Sequence, residues 1–296
     1  MSSDKPVRNF LLCLGVQKAG TTWLHDYLDG HTQTDMGFTK EYHILDTLSP
    51  ESGATRLFEK RERAIKLLER KPDMFSGSNY GFWKRFAFYL DIETYYDYYT
   101  GLLQVDGVRL SGDMTPDNGL ASVEMLQALQ AGFLRRNIGV KPLILLRDPV
   151  ERCWSAVRMG KRNAAAGKSS KPQKGDGDEA TLLRQSYNSK GRSYRTRYEI
   201  IFSKIEQVFS RDEYFSSFYE TLFTTEEIKR FCEFAQINFE EPKFSKRLNV
   251  SERASEISDD LRREVAQEFK ATYYYCADRW GRELILNIWP NAHFVL

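Results

Sequence analysis

Residues 11–24 read LLCLGVQKAGTTWL, and the fold turns on them. The continuous apolar run over 9–16 (NFLLCLGV) suits a strand buried on both faces, as in a parallel sheet. Gly15 and Gly20 stand at GxxxxG spacing, and Thr21 to about Tyr27 suits a first helix. The glycines permit a sharp turn and a close backbone approach. The amides of residues 18–22 can then point at an anion, aided by the dipole of the helix start. An ATP loop carries Lys directly after the second Gly, then Ser or Thr to hold magnesium. Here Thr21 takes the lysine position, and the loop's only lysine is Lys18. The amide cradle is kept while the cation has moved inside it.

A second buried strand is expected in VKPLILLRDP, residues 140–149. ATPases often end such a strand with an Asp that helps hold the metal. This strand ends in Arg147, whose planar fork binds an anion without one. Pro149 suits the first turn of a following helix, which puts Ser155 about two turns in, beside the strand end. The competing reading makes Arg147 a structural partner of Asp148 or Glu151.

The rest of the chain reads as alternating strands and helices. A helix is expected over 54–71, where Leu57, Phe58, Ile65 and Leu68 are near helical spacing and Pro72 ends it. The aromatic stretch over 80–100 reads as a helical layer using Tyr and Phe as core, or else as the wall of an acceptor pocket. A short strand is expected in GVRLSGDMTP, helix over 120–134, and a mobile loop over 161–180. Further helices are expected over 194–209, 224–235 and 258–278, with a strand in EYFSSFYETLF. Together these predict an α/β fold: a three-layer sandwich with a central parallel sheet flanked by helices, as a single domain over 1–296.

Composition narrows the function. Lys and Arg number 43 against 41 Asp and Glu, a net charge of +2. A general nucleic-acid binder would carry a marked basic excess, so no nucleic-acid partner is expected and any anion site is local. Cys13, Cys153, Cys232 and Cys276 are far apart with no CxxC pair, which argues against a disulfide framework or a zinc site. The start, MSSDKPVRNF, has no apolar signal region, and apolar runs such as LILL are too short to span a bilayer. The expectation is a soluble protein of a reducing, cytoplasmic compartment.

QKAGTTWL (17–24) followed by RDPVERCWSAV (147–157) resembles the sulfotransferases that use 3′-phosphoadenosine 5′-phosphosulfate. The resemblance implies that Lys18, Ala19, Gly20, Thr21 and Thr22, with Trp23 beside them, hold the 5′-phosphosulfate. It implies Arg147 and Ser155 for the 3′-phosphate, and no metal. TKEYHILD (39–46) and GDMTPD (112–117) are similar to segments of the glycan-modifying, membrane-type branch, although Met114 stands where members often have Lys. SKGRSY (189–194) and VFSRDEYFSSFYETLF (208–223) resemble the family's Gly-x-Tyr helix and Tyr-Glu-x-Leu strand end, so Tyr194 and Tyr219 are implied near the nucleotide. FSKRLNVSERAS (244–255) is the candidate closing loop, with Lys246, Arg247 and Asn249.

The resemblance also implies the roles in catalysis. Glu41 is the first candidate for the base that takes the acceptor's proton, and His43 the second. Lys18 faces the oxygen that leaves, where negative charge builds. Lys40 either pairs with Glu41 or contacts the sulfate. Asp113, and Thr115 beside it, are candidates to hold the acceptor, and Asp113 could instead orient Lys18. The acceptor is a small molecule or a glycan. The alternatives are a nucleotide kinase-like phosphoryl transferase with a degenerate phosphate loop and a non-catalytic nucleotide-binding protein.

Overall fold

The structure, a computed structural model, describes residues 7–49, 53–70, 80–167, 178–188, 193–245 and 257–296. Within them lie four parallel strands, β1 (Asn9–Cys13), β2 (Leu110–Asp113), β3 (Gly139–Leu146) and β4 (Phe215–Phe218), in the order β2-β1-β3-β4. Leu11 of β1 pairs with Gly112 on one side and Lys141 on the other, and Leu145 of β3 pairs with Ser217. All of β1 is buried, as its unbroken apolar run predicts. Its ladder to β3 outlasts the strand. Leu14 N donates to Leu143 O at 2.8 Å and Val16 N to Leu145 O at 2.7 Å. The run to Val16 is therefore carried to the mouth of the glycine loop.

The helices run α1 (Thr21–Asp29), α2 (Leu45–Leu48), α3 (Gly53–Arg70), α4 (Tyr80–Leu90), α5 (Ile92–Leu103), α6 (Val123–Leu134), α7 (Pro149–Ala165), α8 (Glu179–Asn188), α9 (Tyr198–Ile205), α10 (Thr225–Ala235), α11 (Asp259–Glu268), α12 (Lys270–Trp280) and α13 (Arg282–Ile288). The result is the expected parallel sheet flanked by helices. β1 leads to β2 on one side, while β3 lies on its other side. Connections diverging from neighbouring strands open a crevice at their C-terminal ends, where α/β proteins bind ligands.

The aromatic stretch is core. Asp91 splits it, accepting from Glu93 N as the cap of α5. Tyr95, Tyr96 and Tyr99 are buried, and Phe10 of β1 stacks on Phe133 at 4.2 Å and meets Tyr99 edge-on at 4.7 Å. Such ring pairs add to what area burial alone contributes.

Several expectations are corrected. In α3 the spacing is helical but only part of the expected stripe faces inward, and the side chain of Leu68 lies outside those described. Phe58 and Ile65 are 63% and 45% exposed, while Leu57 packs on the core and Ala64 is buried. One residue turns a helix by about 100°, so the stripe through 57 and 64 faces inward and its neighbour faces solvent. The loop placed at 161–180 is helical at both ends. Lys161–Ala165 extend α7 until Gly167, at φ 64, turns the chain, and α8 begins at Glu179. Residues 168–177 lie outside the described residues. The helix expected over 258–278 is two, meeting at Phe269, and that over 194–209 is a short turn at Tyr194–Thr196 followed by α9.

Candidate functional site

The crevice beyond β1 and β3 holds a cavity of about 740 Å³. Its walls bring together Lys18, Gly20, Thr21, Thr22, Trp23, Lys40, Glu41, Arg147, Ser155 and Tyr219. Residues from distant parts of the sequence thus meet at one site.

The glycine loop forms the floor. Gly20 caps α1 in the left-handed region at φ 93, and a Cβ there would lie 2.7 Å from Leu222 Cδ2. Only glycine has the conformation and the space. Thr21 and Thr22 open the helix, where α-helical geometry leaves their amides no acceptor four residues back. Lys18 also adopts positive φ, at 75. Ala19 is buried, and its amide turns back to Val16 O at 3.3 Å, so it shapes the loop from behind the cavity wall.

Arg147 joins the two motifs. Its Nη1 donates to Lys18 O at 2.9 Å, and its guanidinium lies 4.2 Å from the centre of the Tyr219 ring. Glu151 is 3.9 Å away, too far for a good hydrogen bond. Asp148 points elsewhere. It caps Val150 N at 2.9 Å and accepts from Tyr273 Oη at 2.9 Å and from Asn291 N and Nδ2 at 2.9 and 3.1 Å. Among the described residues, the buried Arg147 Nε has no hydrogen-bond partner. Buried polar groups are nearly always paired, so an unsatisfied donor at a cavity wall points to a ligand. Ser155 lines the same wall two turns into α7.

The cavity gathers like charges. Burial first, then the charges of Arg162, Arg147, Arg158 and Lys40, lower the Lys18 ammonium to a pKa of about 8. A bound anion would reverse the effect of those neighbours. An anion should therefore bind less tightly as pH rises from 7 to 9, because free Lys18 loses its proton near 8. Calorimetry with adenosine 3′,5′-bisphosphate checks this, and Lys18→Met is expected to flatten the pH dependence.

Glu41 stands on the opposite wall within a ladder of charges. Lys40 Nζ is 2.6 Å from Glu41 Oε1 and 3.3 Å from Thr21 Oγ1. His43 Nε2 lies 3.4 Å from Glu41 Oε2, and its Nδ1 is 3.0 Å from the buried Asp46. Burial alone would raise the Glu41 pKa, but His43 and Lys40 outweigh it and bring it to about 2. Burial likewise works against a charged His43, but Asp46 and Glu41 outweigh it and raise His43 to about 10. His43 is therefore an imidazolium at neutral pH, set behind Glu41 and outside the cavity wall.

Asp113 and Thr115 do not reach the cavity. Asp113 is fully buried and accepts from Tyr95 Oη at 3.1 Å and Thr115 N at 2.9 Å. Thr115 Oγ1 in turn accepts from Tyr42 N at 2.9 Å and His43 N at 3.2 Å. They fix the backbone that carries Glu41. Met114 is buried beside them, so its replacement of a family lysine falls in the core. Tyr194 lies away from the cavity, donating to Gly119 O at 3.3 Å. Lys246, Arg247 and Asn249 lie outside the described residues.

Sequence reading missed several residues. Trp23, expected here, stacks on Phe244 at 5.6 Å and meets Phe223 edge-on at 5.2 Å. The two phenylalanines, unforeseen in this role, form an aromatic cluster with Trp23 on the cavity wall. Met159, Arg162 and Asn163 line it from α7. Counting helical turns onward from Ser155 would have found these three. Asp46, five residues past Glu41, was passed over for lack of a pattern. His43, Asp46 and Asp117 also bring ligand atoms within 4.8 Å of one another. Asp117, however, is held by both Arg195 Nε and Nη2, at 2.6 and 2.7 Å. With an imidazolium and a guanidinium in place, that cluster is not shaped for a metal.

The fold and site define an α/β protein whose glycine turn after one strand is bonded to an arginine at the end of the next. No protein-family model matches the chain, and no curated protein matches it. Among solved structures, a sulfotransferase from Alicyclobacillus acidocaldarius is similar at a TM-score of 0.57 and 18% identity, over 92% of this chain and 95% of that one. The sulfotransferase domain of a Synechococcus olefin synthase follows at a TM-score of 0.45 and 16% identity, over 82% and 78%. The likeness to the Alicyclobacillus protein gives the chain the sulfotransferase fold. Among the described residues, no helix is long and apolar enough to cross a membrane.

Proposed function

We propose that the protein transfers a sulfuryl group from 3′-phosphoadenosine 5′-phosphosulfate to a hydroxyl or amine of a small-molecule or glycan acceptor. The observation that carries this is the 2.9 Å bond from Arg147 to the Lys18 carbonyl. It locks two anion-binding motifs side by side in one cavity, as a donor with two anionic ends requires. The 5′-phosphosulfate belongs on the Lys18–Thr22 loop. The 3′-phosphate belongs on Arg147 Nε and Ser155, and the adenine against the aromatic cluster of Trp23, Phe223 and Phe244.

The donor supplies a sulfuryl group whose bond to the 5′-phosphate oxygen breaks as the bond to the acceptor forms. Lys18 and the loop amides meet the charge that develops on the leaving oxygen, the place where fixed donors lower a barrier most. Glu41 takes the acceptor's proton. Held by Lys40 and His43 it is a weak base, so Lys40 has a second task. Already 3.3 Å from Thr21 Oγ1, it can move to the sulfuryl oxygens and leave Glu41 more basic. His43 and Asp46 keep the carboxylate aimed. A kinase-like reading is disfavoured, since both oxygens of Asp148 are committed to the α7 cap and the C-terminal segment.

Adenosine 3′,5′-bisphosphate at 100 times its Kd, without added metal, should stabilise the fold by about 2.7 kcal/mol, or roughly 5–10 °C in Tm. Differential scanning fluorimetry reads this. Stabilisation by ATP with magnesium, and none by the bisphosphate, would reject the proposal.

A further inference from the structure

We infer that the acceptor carries an anionic group, a carboxylate or a phosphate, and that Arg162 is the residue that selects it. The inference rests on the sulfotransferase reading and deepens it.

One face of α7 runs the length of the cavity. Ser155, Met159, Arg162 and Asn163 all line it. At 3.6 residues per turn these positions fall within about 100° of one another, and at about 1.5 Å per residue they mark depth along the site. Ser155 marks the 3′-phosphate end. Met159, about 6 Å further on, marks the level of the reacting group, because its Sδ is 3.8 Å from Lys18 Nζ. The backbone of Arg162 lies about 4.5 Å beyond that level along the helix axis, on the side away from Ser155, and the residue is exposed. In an in-line transfer the acceptor enters opposite the leaving oxygen, and so from this side.

Charge gives the second argument. Among the described residues, the cavity wall holds Lys18, Lys40, Arg147 and Arg162 against one carboxylate, Glu41. Neither anionic end of the donor, as assigned above, uses Arg162. Yet after burial it is the strongest influence on Lys18. A guanidinium with an amide, Asn163, one residue on offers a planar fork and a neutral donor. That suits a carboxylate or phosphate held bidentately. The acceptor's charge would hold the molecule at Arg162 while its hydroxyl meets Glu41. The O–H proton passes to Glu41, the oxygen bonds to sulfur, and the bisphosphate leaves with the electron pair of the broken bond.

The test is a binding comparison on protein saturated with adenosine 3′,5′-bisphosphate, read by calorimetry or ligand-observed NMR. The probes are 4-hydroxybenzoate against 4-hydroxybenzamide, and glucuronate and glucose 6-phosphate against glucose. At least one anion should bind fivefold or more tightly than its neutral partner, and which anion does so separates carboxylate from phosphate. The preference should vanish in Arg162→Gln and be weakened but not abolished in Arg162→Lys, since an ammonium keeps the charge without the planar fork. Equal binding of all pairs to the unsubstituted protein, or an undiminished preference in Arg162→Gln, overturns the inference. If Arg162→Gln weakens bisphosphate binding as much as Arg147→Ala does, Arg162 belongs to the donor site, and this inference falls while the sulfotransferase reading stands. If the bisphosphate does not bind at all, both fall.

Discussion

Glu41→Gln should leave bisphosphate affinity within about twofold and lower kcat by about 10²–10⁴, the range a positioned general base contributes. The amide that replaces the carboxylate keeps its size and polar character, and Thr115 Oγ1 still holds the backbone on its C-terminal side. The fold and the donor cradle on the other wall are therefore expected to persist. What is lost is proton affinity. His43 cannot replace it, because Asp46 keeps it protonated at neutral pH. Single-turnover transfer from labelled donor, with bisphosphate affinity measured alongside, separates the two effects. Full turnover in Glu41→Gln would remove Glu41 as the base.

Arg147→Ala should have the larger effect on binding. It removes the fork expected to hold the 3′-phosphate and the bond to Lys18 O that fixes the loop. Truncating one side of a buried, hydrogen-bonded charge pair costs about 2–5 kcal/mol. At about 1.4 kcal/mol per tenfold, that is roughly 30-fold to several thousand-fold in Kd for the bisphosphate. Arg147→Lys should recover only part, since an ammonium is a point charge without the planar fork. The strand end itself should hold, because Tyr198 Oη bonds the Arg147 carbonyl and not its side chain. Unchanged affinity in Arg147→Ala would mean that the 3′-phosphate sits elsewhere.

The features legible in the sequence share a physical cause. NFLLCLGV reads as a buried parallel strand because a strand covered on both faces needs no alternation. The loop after it reads because backbone conformation restricts residue type, as the space at Gly20 shows. Arg147 and Ser155 read because a strand end and a proline-started helix fix their spacing. The inward face of α3 is legible only in part: Leu57 packs on the core as its spacing suggests, but Phe58 and Ile65 fit a helical stripe as well as Ala64 does, and only the partner surface chooses. Asp113 is a candidate to hold the acceptor or orient Lys18 only through the resemblance of GDMTPD, and the fold makes it a core residue. Tyr95 and Thr115 bury it.

The sequence by itself determined the α/β fold, the glycine turn after β1 and the arginine at the end of β3, because local backbone and pattern rules act within a few residues. Only the tertiary structure decided which titratable groups meet and in what state. Lys40, His43 and Asp46 are near Glu41 in the chain, yet their effect on its proton depends on distances of 2.6, 3.4 and 3.0 Å between side chains. Likewise, the meeting of α7 with the glycine loop is a matter of packing. Helical spacing puts Met159 and Arg162 on the face of Ser155, but only packing sets that face against the glycine loop, with Met159 beside Lys18 and Arg162 on the cavity wall.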